Sequence, residues 1–208
     1  FIPLIYFLHK NNSGLLLRPA AFDWKSIRKA CGNGSSEMLS NLSTSLVSVI
    51  YNFQLMRVAA ENGIAAYGVV MYASFIATSI YLGYAIGINP IVGYHYGADN
   101  KSELHNLLTK SLRITGVTAL SITLLSELLA LPIARLFVGY DLVLCEMTRT
   151  GFMLYAISYL FSGFNIFSSS LFTALSDGKT SAIISFGRTC VFIILSLMIL
   201  PNILGLTG

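Results

Sequence analysis

Between Glu37 and Asn52 the polar side chains Glu37, Asn41, Thr44, Ser45, Ser48 and Asn52 recur every three or four residues. In an α-helix that spacing stacks them on one face. The residues between them are apolar on balance, so the helix is fit to lie inside a bilayer. A carboxylate there is costly unless it is protonated, paired or hydrated, and such groups mark proton or ion pathways. Glu37, with Asn41 one turn on as its partner, therefore heads a candidate substrate and ion pathway through Thr44, Ser48 and Asn52. The plainer reading places Glu37 within a turn of the interface, where it snorkels or caps the helix.

A second polar set lies in the uncharged stretch 150–175: Tyr155, Tyr159, Ser162 and Asn165. Aromatic faces attract organic cations, which makes Tyr159, Ser162 and Asn165 candidate substrate contacts; interhelical packing and hydrogen bonding is the competing account. Glu127 and Arg188 are intramembrane charges of opposite sign, expected to pair within one bundle. Asn89-Pro90 removes a backbone donor inside a helix and is the candidate hinge. Gly83, Gly87, Gly93 and Gly97 around it suit close helix packing. His9, His95 and His105 fall in or beside polar connectors.

The elements that must carry these residues follow from composition. Of 208 residues 55% are hydrophobic and only 11% charged, with a mean hydropathy of +0.72; a soluble domain carries roughly a quarter charged residues. The formal charge of +4 forms no stripe for nucleic acid; Lys and Arg sit in gaps between apolar runs, as topology signals do. Three cysteines, Cys31, Cys145 and Cys190, without CxxC spacing suggest neither a disulfide framework nor a metal site. Nucleotide-binding, metalloprotease and serine-hydrolase signatures are absent, so no enzyme is expected.

An all-α, polytopic transmembrane bundle of five full spans with partial end helices is the expected fold. The spans are 34–55, 64–93, 114–137, 150–175 and 181–200, each near or above the roughly 20 residues that cross a bilayer. Residues 1–9 read as the end of a truncated transmembrane helix. Residues 10–31 read as a cytoplasmic connector with a short amphipathic surface segment at Asp23 to Lys29, and 32–208 as the bundle. Lys10, Arg18, Lys25, Arg28 and Lys29 against Asp23 place the connector in the cytoplasm by the positive-inside rule. The chain is expected to be an excerpt of a longer multi-pass protein, with the bacterial cytoplasmic membrane as its expected location.

The string NPIVGYHYGA at Asn89 to Ala98 resembles the end of the second helix in the C-terminal half of multidrug and toxic compound extrusion (MATE) transporters. The resemblance continues in NGSSEMLSNLS at Asn33, ENGIAAYGVVMY at Glu61, KSLRIT at Lys110 and ALSDGK at Ala174. It implies helices seven to eleven of a twelve-helix carrier whose two bundles rock to exchange organic cations, drugs or metabolites for protons or sodium ions. The implied partners are the lipid bilayer, the missing N-terminal bundle and small organic cations, with no cofactor beyond the coupling ion, H+ or Na+. Acidic positions used midway along helices seven and ten in some members fall near Thr44 and Ser162 here, neither of them acidic. A related lipid-linked precursor flippase is the nearest rival, although it calls for a more cationic cavity than Arg188 alone supplies; a non-transporting fragment or accessory subunit is the other.

Overall fold

The computed structural model describes residues 22–204, so the predicted helix end at 1–9 and the start of the connector lie outside the described residues. The chain divides into two compact units, 1–30 and 31–208. In the first, Asp23 accepts from the Lys25 amide at 3.0 Å and the Ser26 hydroxyl at 2.5 Å, the capping pattern that starts a helix. Helix α1, Trp24–Gly97, follows at once. The expected short surface segment is thus the first two turns of a long helix. Nothing between Lys25 and Gly34 interrupts it, because glycine lowers helix propensity without removing a backbone hydrogen bond.

α1 has 74 residues, roughly 110 Å at about 1.5 Å per residue, far more than one bilayer crossing. The backbone breaks once, at Ala60, with φ 50° and ψ −146°. Each arm, 24–59 and 61–97, exceeds the roughly 20 residues of a span. The break falls in the Arg57 to Glu61 turn that the hydropathy pattern predicts.

Helix α2, Lys101–Val138, is capped by Asn100, whose side chain accepts from the Glu103 amide. The expected loop 99–113 is therefore mostly helical. α3, Leu142–Ala156, starts on Asp141, which accepts from the amides of Val143 and Leu144, so the predicted polar break at 139–149 shrinks to a tight turn. α4 is Tyr159–Ala174. α3 and α4 are bent 48° apart and together can make one span; the expected uninterrupted helix over 150–175 is instead broken at Ile157–Ser158. Asp177 opens α5, Gly178–Phe186, and its Thr180 contacts hold its carboxyl below the ordinary carboxylate range. A π-helical turn, Gly187–Phe192, links α5 to α6, Ile193–Leu204.

α1, α2 and the stretch Gly178–Ile203 are each long and apolar enough to cross a membrane, and the bent pair adds one more. Counting the two arms of α1 separately reproduces the five expected spans. α2 packs on α3 and α4, and α4 on α5. The buried faces are built from small residues at helical spacing: Ala66, Val70 and Ala77 on α1 meet Ala119, Ala130 and Ala134 on α2 and Ala156 on α3. Small side chains let backbones approach where no hydrophobic effect drives helices together. Large apolar residues such as Leu128, Leu136, Phe161 and Ile183 point outward. That pattern suits lipid.

Candidate functional site

The break at Ala60 folds α1 back on itself and brings Tyr51 of the first arm against Tyr67 of the second. Their rings stack at 4.5 Å and 12°. Together with α3 they enclose a cavity of about 650 Å³, lined also by Leu55, Gly63, Met147, Leu154 and Tyr155, with Glu146 as its charged residue. The volume falls within the range of small-molecule sites. Glu146 lies 3.4 Å from Arg149 in an exposed ion pair, a weak contact that a competing cation can displace. Three tyrosine rings and one carboxylate form a surface that attracts a flat organic cation.

Below the cavity the tyrosines are packed rather than open. Tyr155 meets Tyr159 edge-on at 5.6 Å. Tyr159 is only 1% exposed, its hydroxyl shares a hydrogen with Ser74 at 2.7 Å, and its carbonyl accepts from the Tyr81 hydroxyl at 3.1 Å. Next to it, a Cβ on Gly163 would stand 2.7 Å from the Tyr81 ring, so only glycine lets α4 come this close.

Of the residues singled out from sequence, Tyr155 alone lines this cavity. Glu37, Asn41, Thr44 and Asn52 are exposed and Ser48 is half-buried, on the first arm of α1. Asn41 donates to the Glu37 backbone carbonyl at 2.9 Å, not to its carboxylate. Thr44 donates to the Ser40 carbonyl and Asn52 to that of Ser48, both at 3.0 Å. The stripe is one continuous face, and Asn41, Thr44, Ser45 and Asn52 each donate to a carbonyl one turn back in their own helix. Tyr159 is in the core, Ser162 donates to the Ser158 carbonyl at 2.9 Å, and Asn165 is half-buried. The stripe is not gathered into the tyrosine cavity, and of the second set only Tyr155 is.

The expected Glu127–Arg188 pair is not formed. Among the described residues the ion pairs are Asp99–Lys101 and Glu146–Arg149. Glu127 lies on α2, whereas Arg188 lies on the π-helical turn that is continuous with α5 and α6. The helix that leads into Arg188 instead meets the start of α1. Gly178, at the start of α5, abuts the backbone of Gly32 and Asn33, and Asn33 donates to the Thr173 carbonyl at 3.1 Å. Glu37 is one turn further along α1. That contact brings the two charged residues onto neighbouring helices.

The helix runs unbroken through Asn89 and Pro90, where Ser170 donates to Asn89 Oδ1 at 3.0 Å. The discontinuity in α1 is at Ala60 instead. Among the described residues no three His, Cys, Asp or Glu side chains gather as a metal ion requires. Tyr51, Tyr67 and Glu146 were not legible as a group, because they come from three separate stretches. One signal did exist: two tyrosines at similar distances on either side of a predicted turn.

A family model described as MatE matches residues 38–198. No curated protein matches. Two solved structures share the fold: a crystal structure of MATE in complex with MaL6, and a crystal structure of a MATE mutant. Each is 21% identical with a TM-score of 0.89; each match covers 100% of this chain and 48% or 47% of the other. The chain spans about half the length of these structures.

Proposed function

The chain belongs to the MatE family, and on that premise we propose that it works as the C-terminal half of an ion-coupled antiporter that exports organic cations, drugs or metabolites. The observation that carries the substrate class is the tyrosine cavity between the arms of α1 and α3, with Glu146 as its charged residue. Acidic charge beside aromatic faces suits a cation and suits an anionic lipid-linked precursor poorly. The stripe headed by Glu37 supplies the coupling pathway for H+ or Na+, and a second bundle completes the cleft in the cell membrane.

The test is binding of a flat fluorescent cation, ethidium, to the chain in detergent micelles. Replacing Tyr67 by Ala opens the stack and is expected to weaken binding about tenfold, given the roughly 0.5–2 kcal/mol typical of a cation–π contact; Glu146→Gln weakens it further. Replacing Tyr140, exposed and outside the cavity, leaves it unchanged. Equal affinity in all variants would remove the cavity from the reading.

A further inference from the structure

The first turns of α1 present a surface that the transport reading leaves unused. Phe22 and Trp24 are 74% and 70% exposed, and their rings meet edge to face at 5.3 Å. At about 100° per residue, Lys25, Arg28 and Lys29 fall within an arc of about 100° on one side of the helix, with Trp24 bordering Arg28. All three cations are exposed and none is in an ion pair among the described residues. Trp24, Lys25 and Arg28 line a shallow concavity of about 430 Å³.

Asp23 is the acid in this segment. Its carboxylate is taken up by the Lys25 amide and the Ser26 hydroxyl, the bonds that also hold its carboxyl below the ordinary range. It neutralises at most one of three positive charges. The surface remains basic, concave and flanked by aromatic rings.

We propose that this turn docks anionic phospholipid, with Lys25, Arg28 and Lys29 holding the headgroup phosphates and Phe22 and Trp24 seated at the boundary between headgroups and acyl chains. Charge complementarity selects an anion. The two exposed aromatic rings select a lipid over a soluble phosphate, which has no use for them, since tryptophan favours the membrane interface and basic clusters beside a span attract anionic leaflets. The proposal rests on the membrane reading of the chain.

Trp24 is the sole tryptophan, so its fluorescence reports this site without any labelling. The chain is reconstituted in phosphatidylcholine vesicles that contain a fixed small fraction of either acyl-brominated phosphatidylglycerol or acyl-brominated phosphatidylcholine. At equal mole fraction the brominated phosphatidylglycerol is expected to quench Trp24 roughly threefold more strongly, or more. The excess should fall as salt is added and vanish when Lys25, Arg28 and Lys29 are all replaced by Gln. Equal quenching by both lipids overturns the headgroup assignment while leaving the segment at the membrane. Absence of quenching by either overturns the membrane placement itself, and an excess that survives both high salt and the triple replacement overturns the role of the three cations. The salt titration uses the unaltered chain, so the outcome does not depend on the variant folding.

Discussion

Glu37 and Arg188 show how a side chain's neighbours, not its type, decide its role. Arg188 sits in a π-helical turn, an insertion that redirects side chains and recurs at functional sites. The stretch of α1 that meets the start of α5 carries Glu37 one turn further on, exposed. A coupling of about 0.5–1 kcal/mol is expected, small because water or headgroups screen the exposed partner. Exchanging the two charges, Glu37→Arg with Arg188→Glu, should recover thermal stability lost by either single change, whereas Glu127→Gln should leave the melting temperature of the detergent-solubilised chain where it was. Strictly additive losses in the double variant would dissolve the pair. Tyr159 teaches the opposite lesson: a residue attractive for cation binding is spent on the core, where its hydroxyl answers Ser74.

At the scale of elements, the joint at Ala60 matters most. With φ 50° and ψ −146° Ala60 occupies backbone space that glycine visits freely and other residues enter only with strain of about 1–3 kcal/mol. Ala60→Gly is therefore expected to raise stability by roughly 1 kcal/mol, read as a higher unfolding temperature. Were α1 a continuous helix through this point, the same change would lower stability by about 1 kcal/mol. The sign of the shift decides between them. The joint also explains why the cavity escapes a linear reading, since Tyr51 and Tyr67 meet only after the chain has turned.

At the scale of the whole molecule, the first arm of α1 separates two kinds of exposed surface. Asn41, Ser45 and Asn52 lie on the polar stripe, while Leu42, Leu46, Val49 and Phe53 are exposed and apolar beside it. Asn41, Ser45 and Asn52 each already bond a carbonyl one turn back, so drying would not leave these donors unpaired. In a background with Cys31 replaced, cysteines at 41, 45 and 52 are expected to react with a water-soluble maleimide in vesicles, and cysteines at 42, 46 and 49 to be protected by lipid. Uniform protection of both sets would place the stripe away from water.

Hydropathy and charge placement alone established a helical membrane bundle, the five apolar runs, the turn near residue 60 and the polar face from Glu37 to Asn52, because each depends on spacing within one stretch of chain. Which residues meet across stretches belonged to the tertiary structure: Tyr51 stacked on Tyr67 beside Glu146, Tyr159 buried against Ser74, and the start of α5 set against Gly32 and Asn33 of α1. Periodicity tells a helix which face to bury. Only packing chooses the neighbour that face receives.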